Sequence, residues 1–218
     1  MACLNPHSYV LARDDPAFRS ALKAAEWLVP DGAGIILGGR FLGVTFPERV
    51  SGPDVFAAVM QRLQRDSGSV FFLGSSEEVL RRIRERFAEA YPDVVISGTY
   101  SPPFEPEFSE ETNIAMVEAV NRARPDVLWV GISAPRQEKW LADHAEKLDV
   151  GVAGAVGAAF DFFAGTVNRS PAVFRRTGLE WLPRLLQQPR RLWRRMGVSA
   201  PIFLGDVLRA RVRGAADQ

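Results

Sequence analysis

Asp31 is a lone carboxylate in the turn Pro30-Asp31-Gly32, where it can take the proton of an attacking hydroxyl. The same Asp-Gly pair also makes an ordinary tight turn whose aspartate bonds its own backbone. Arg136 and Gln137 lie in Ala134-Pro135-Arg136-Gln137-Glu138-Lys139-Trp140, just after the apolar run Val127–Val130. A side-chain amide there both donates to and accepts from a sugar hydroxyl or a uracil edge. Pro135 suits a first helical turn and Ser133 suits its cap, so a plain capped surface helix is the alternative. Asn5 and Asp161 belong either to a polar cleft or to the satisfied structural groups of a fold. Gly74-Ser75-Ser76 follows Val70–Leu73 and can offer helix N–H groups to a phosphate, with Ser75 or Ser76 as the cap. It lacks the spacing of the established phosphate-binding glycine motifs and equally starts an ordinary helix.

The charge is unevenly placed. Residues 175–213 hold 10 Arg, no Lys and two acids, a net of +8, whereas the first 174 residues carry 17 basic and 23 acidic side chains. Trp181, Leu182, Leu185, Leu186, Leu192, Trp193 and Met196 are interleaved with those arginines. Such a basic amphipathic segment suits an anionic membrane surface, a phosphorylated ligand or both, and the exclusive use of Arg favours bidentate phosphate contacts. A docked helix with a solvated charged face is the plainer reading. The acidic body and the lack of any recognised motif argue against a nucleic-acid partner.

Several chemistries are set aside. Cys3 is the only cysteine, so no internal disulfide or Cys-rich metal site forms, and His7 and His144 are the only histidines. Neither histidine sits in a nucleophile-elbow context. No Asp-x-Asp occurs, so no metal and no cofactor is expected. No apolar run approaches the roughly 20 residues of a spanning helix. The start MACLNPHSYV lacks a basic segment followed by an apolar one, so a cytoplasmic protein touching a membrane from its inner face is expected.

The elements that must position these residues alternate. Ile35–Leu37, Val70–Leu73, Val94–Ile96, Val127–Val130 and Val150–Val156 read as strands. Pro16–Leu28, Asp54–Arg65, Ser76–Ala90, Glu110–Ala123 and Pro135–Leu148 read as helices. Thr99–Ser109, with three prolines, reads as a loop. Strands apolar on both faces and separated by helices predict an α/β, Rossmann-like, mainly parallel sheet with helices on both faces. The expected domains are an α/β body over 1–175 and a helical basic C-terminal appendage over 176–218. Ligands of such sheets gather at the strand carboxyl ends.

Taken in order, Leu4-Asn5, Pro30-Asp31-Gly32, Arg49-Val50-Ser51-Gly52, Phe72-Leu73-Gly74, Pro125–Gly131, Ala134–Trp140, Gly157–Phe162, Ala164-Gly165, Arg169-Ser170-Pro171 and Gly178–Trp181 resemble the TagA/WecG/CpsF-type glycosyltransferases, family 26 of those enzymes. The resemblance runs from Leu4 to about Arg195. It implies inverting transfer of a sugar of the N-acetylmannosamine type from a UDP-sugar donor. The implied acceptor is a polyprenyl-diphosphate-linked sugar at the cytoplasmic leaflet of a bacterial membrane. The products would feed teichoic acid, common-antigen or exopolysaccharide synthesis.

The same resemblance implies Asp31 as the catalytic base, and Asn5 and Gln137 as donor- or acceptor-site residues, with Arg136 and Asp161 beside them. Arg191, Arg194 and Arg195 fall in the appendage that closes over the site at the membrane. Without a metal, arginines and helix N-termini would stabilise the departing nucleoside diphosphate. Two departures stand out. The family has some tens of residues before the Asn motif, which here begins at residue 3, and Cys3 stands where the family commonly has Thr. The competing function is a non-catalytic α/β module that binds a nucleotide or an anionic surface.

Overall fold

In the computed structural model, which describes residues 1–46, 50–171, 173–174, 180–187 and 189–216 and not the side chains of residues 184, 190, 191, 215 and 216, the chain divides into two compact units. One comprises Met1–Ala2, Ala21–Leu28 and Gly52–Asn168, the other Cys3–Ser20, Val29–Ser51 and Arg169–Gln218. The strands are β1 (Ala2–Leu4), β2 (Leu28–Pro30), β3 (Ser69–Gly74), β4 (Val95–Tyr100), β5 (Val127–Gly131) and β6 (Val152–Ala155). The helices up to the tail are α1 (Pro6–Asp14), α2 (Pro16–Ala24), α3 (Ala33–Phe41), α4 (Gly52–Asp66), α5 (Glu77–Ala90), α6 (Glu110–Ala123), α7 (Arg136–His144) and α8 (Ala159–Ala164).

The first unit holds the Rossmann-like sheet. Its strands run in the order β4-β3-β5-β6, and every pairing is parallel. A strand with four consecutive apolar residues points them alternately to both faces, so both faces must be covered. Val70, Phe72 and Trp129 pack with Phe56 and Met60 of α4 and Leu80, Ile83 and Phe87 of α5. Phe71, Leu73, Leu128 and Val130 pack on the other face with Met116 and Val120 of α6 and Trp140 of α7. Each such side chain contributes about 1.5–3 kcal/mol through burial.

β3 leads through α5 to β4 on one flank, and α6 then returns the chain to β5 on the other flank. The winding therefore reverses between β3 and β5, the place where open α/β sheets hold ligands. At the amino ends these two strands are pinned together: the Asp126 carboxylate accepts from the Ser69 N–H and hydroxyl, both at 2.7 Å. At the carboxyl ends Gly74 lies opposite Gly131. Gly74 has φ 107°, and a Cβ there would stand 2.8 Å from the Gly131 carbonyl carbon, so only glycine lets the strands close.

The second unit contains α1, α3 and the tail around a core of Val10, Ile35, Phe203 and Val207. Here the strand expected at Ile35–Leu37 is instead the middle of α3. Ile35 and Ile36 are buried while Leu37 is 62% exposed, a helical division of faces that a three-residue run does not reveal. Gly38 lets the Phe203 ring approach, since a Cβ there would be 2.8 Å from it. The strand lies earlier, at β2, because the helix expected to reach Leu28 stops at Ala24. β1 and β2 pair in a two-stranded sheet.

Candidate active site

The carboxyl ends of β3, β5 and β6 define the site residues of the first unit. Beyond Gly74, Ser75 takes φ 62° and Ser76 caps α5, its Oγ accepting from the Val79 N–H at 3.3 Å. The Ser75 carbonyl accepts from the Ser101 hydroxyl at 2.7 Å, which ties the proline-rich loop to this strand end. α5 offers backbone N–H groups beyond the end of β3, with Glu77 and Glu78 in its first turn. The shallow recess lined by Gln61, Gln64, Arg65, Ala90 and Tyr91 lies instead among elements that lead into the strand amino ends, away from this chemistry.

Beyond β5 the expected cap is corrected. Pro135, joined to Ala134 by a cis peptide bond, stands at the α7 boundary, and no side chain caps it. Ser133 lies two residues outside the boundary and contributes its carbonyl, which accepts from the Gln137 N–H at 3.0 Å. The Arg136 guanidinium stacks over the Phe108 ring at 4.3 Å, a cation–π contact that directs it toward the loop. Gln137 is buried, and its Nε2 donates to Glu138 Oε1 at 2.9 Å. The amide lies against Gly157, where a Cβ would come 3.4 Å from it. Burial pushes the Glu138 carboxyl above the usual carboxylate range, against the opposing hydrogen bond from Gln137. Asp161 is half-buried on α8, and its backbone carbonyl accepts from the N–H groups of Thr166 and Val167 at 3.0 and 3.2 Å. α8 is fixed by Phe160, whose ring rests where a Gly131 side chain would be.

In the second unit Asp31 follows β2 and precedes α3, with Gly32 at the helix N-cap. It therefore ends a strand, whereas the expected strand at Ile35–Leu37 would have followed it. The Asp31 N–H donates to the Leu4 carbonyl at 2.8 Å, which sets Asp31 beside Asn5. Asn5 caps α1: its Oδ1 accepts from the His7 and Ser8 N–H groups, both at 3.0 Å, and Ser8 Oγ accepts from the Asn5 N–H in return. The structural and functional readings of Asn5 are thus compatible, because no described hydrogen bond occupies its Nδ2.

The tail runs through helices Trp181–Gln187 and Pro189–Arg194, a π-helical stretch Arg195–Ser199 and the helix Ala200–Ala216. Its last helix docks on α1 through Tyr9 edge-on to Phe203, with ring centroids 5.3 Å apart, and through Arg13 donating to Asp206 at 2.9 Å. His7 Nδ1 lies 2.8 Å from Ser199 Oγ. Burial, then the Arg195 charge, then the Arg194 charge hold His7 down at about 4, so it is neutral at ordinary pH. Arg194 and Arg195 are thereby brought to the start of α1, two residues from Asn5. The Arg191 side chain, Arg49 and Gly178-Leu179 lie outside the described residues.

Two residues escaped the sequence reading. Glu138 stands in the motif without being singled out, and only the fold buries it. His7 was discounted for lacking a triad context, and its link to Ser199 spans 192 positions. Among the described residues no helix is long and apolar enough to cross a membrane, and no cluster of three or more His, Cys, Asp or Glu could hold a metal.

Glycine-ended parallel strands at a winding reversal, followed by helices, define a Rossmann-like α/β protein. The chain belongs to the Glycosyl transferase WecG/TagA/CpsF family, which it matches over residues 1–217. It is 30% identical over 205 residues to an N-acetylglucosaminyldiphosphoundecaprenol N-acetyl-beta-D-mannosaminyltransferase of Bacillus spizizenii, covering 94% of this chain and 77% of that one. It is 28% identical over 209 residues to the protein of the same name from Bacillus subtilis, covering 96% and 78%. The chain is therefore a glycosyltransferase, and the reading as a non-catalytic module gives way.

Proposed function

We propose that this glycosyltransferase moves a sugar of the N-acetylmannosamine type from a UDP-sugar to a polyprenyl-diphosphate-linked sugar, with inversion. One observation carries the reading: Asp31 is a half-buried carboxylate at a strand carboxyl end and a helix start, bonded through its backbone beside Asn5. In the reaction the acceptor hydroxyl oxygen bonds to the anomeric carbon from the face opposite the leaving group. Its proton passes to Asp31, the bond from carbon to the phosphate oxygen breaks, and UDP departs. General-base assistance of this kind contributes about 10²–10⁴-fold.

The remaining roles follow the residue chemistry. The α5 start beyond Gly74 suits the diphosphate, and Gln137, Arg136 and Asp161 suit donor or acceptor groups. Asn5 offers its Nδ2. Arg191, Arg194 and Arg195 serve as the cationic clamp on the leaving diphosphate. The tail is also the contact with an anionic membrane surface, supported by Leu186, Trp193 and Val212 at 79, 63 and 70% exposure among its arginines. This would associate the protein peripherally with the membrane that carries its acceptor, in the synthesis of a cell-surface polysaccharide or teichoic acid.

The test mixes the protein with UDP-N-acetylmannosamine and a short-chain N-acetylglucosaminyl diphospholipid, and follows UDP release together with the anomeric configuration of the product. A β-linked disaccharide lipid is expected. Absence of transfer from a panel of UDP-sugars to this acceptor would refute the proposal.

A further inference from the structure

Gln137 and Glu138 form a buried polar pair at the carboxyl end of β5, each 5% exposed. Nε2 of the first donates to Oε1 of the second at 2.9 Å, which leaves two oxygens, Gln137 Oε1 and Glu138 Oε2, with no hydrogen-bond partner in the protein. A buried acceptor without a donor is costly, roughly 1–3 kcal/mol, and two in one place mark a position that something else completes.

The chemistry of that completing group can be read from the pair. A carboxylate only accepts, so the amide must turn its N–H toward Glu138 and its oxygen away. Glu138 thus decides which end of Gln137 is offered. The pair is thus left with two buried acceptors and no donor to them, an arrangement that disfavours phosphates and carboxylates and suits a group that brings hydroxyl donors. The Gly157 backbone lies against the amide, where a Cβ would stand 3.4 Å from Nε2.

On the reading that the donor is a nucleotide-sugar, we infer that Gln137 and Glu138 together form a subsite for a hydroxyl-bearing ring of that donor, in which Glu138 fixes the amide and supplies the second acceptor. The ring is either the transferred hexose or the ribose of the nucleoside, and the two are separable in solution.

The experiment is calorimetric titration of the wild type and of Glu138→Gln with UDP and with UDP-N-acetylmannosamine. The exchange keeps the shape but removes the fixed acceptor, so about a tenfold loss of affinity is expected. A loss confined to the sugar nucleotide assigns the subsite to the hexose, and an equal loss for both ligands assigns it to the ribose. Unchanged affinity for both overturns this inference and leaves the proposed function standing. A wild type that binds neither ligand overturns both. Should Glu138→Gln fail to fold, as judged by near-ultraviolet dichroism, Glu138→Asp is titrated in its place. It keeps the charge but withdraws it by one methylene, and unchanged affinity in that variant likewise overturns the inference.

Discussion

Lowering the pH from about 7 to about 5 should destabilise the fold through His7 by roughly 1 kcal/mol, apart from any effect of the carboxylates. In the fold the His7 ring is held at about 4 by burial and by Arg195 and Arg194, against 6.5 for a free histidine. The unfolded chain therefore takes up the proton first. Stability is constant above the free value and is lost as pH falls from there toward about 4. Integrated between those two pH values the full shift is worth about 1.8 kcal/mol, and the ring's partial exposure reduces this to about 1. For a chain of this size that corresponds to a fall of about 2–4 °C in Tm. The assay is thermal unfolding of the wild type and of His7→Asn at both pH values, with the difference between the two proteins isolating His7. An equal loss in both, or an imidazole titration midpoint near the free value by NMR, would refute the argument.

Asp31→Asn should lower transfer by about 10²–10⁴-fold while donor affinity by calorimetry stays near wild type, and turnover within a few-fold would remove Asp31 from the mechanism. Transfer should persist in excess chelator, since arginines and helix dipoles replace a metal in the proposed mechanism; loss of activity restored by Mg²⁺ or Mn²⁺ would contradict this. Replacing Arg191, Arg194 and Arg195 together with Gln should weaken sedimentation with anionic vesicles by about 1 kcal/mol per arginine, in a salt-sensitive way. The same variant should turn over a soluble acceptor more slowly, and wild-type values in both assays would leave the tail with neither role. Gly74→Ala should destabilise the protein by about 2 kcal/mol in chemical denaturation, because its φ of 107° and the Gly131 carbonyl carbon 2.8 Å from the new Cβ both oppose a side chain. A loss below about 0.5 kcal/mol would show that the strand ends can part.

The parallel sheet was legible because Val70–Leu73 and Val127–Val130 are too apolar for a one-sided strand, and the α5 start because Ser76 supplies a cap oxygen. Ile35–Leu37 was misread because three apolar residues fit either period. What settles the matter is Phe203, a tail residue that packs against Gly38 and is distant in sequence. The setting of Asp31 was misread for the same reason, and the helix correction moves it to a strand's carboxyl end. The place of Gln137 just beyond β5 was legible in the sequence. Its dependence on Glu138 was not, since burial of a charged side chain arises only from three-dimensional packing. Ser133 was taken for a cap on spacing alone, whereas Pro135 holds the boundary itself.

The pairing of β3 with β5 has different fastenings at its two ends. Asp126 and Ser69 clasp the root through charge-assisted hydrogen bonds, while the mouth meets as glycine against glycine with the proposed ligand-facing groups on the segments beyond. Such a division separates two kinds of inheritance. On the proposed site, changes in Ser75, Ile132, Ser133 or Gln137 would alter what the mouth accepts without touching the clasp that keeps the strands in register. A lineage can therefore exchange one sugar for another by rewriting the rim while the root stays as it is, and substitutions that switch donor preference are expected to gather beyond Gly74 and Gly131 and to avoid Ser69 and Asp126.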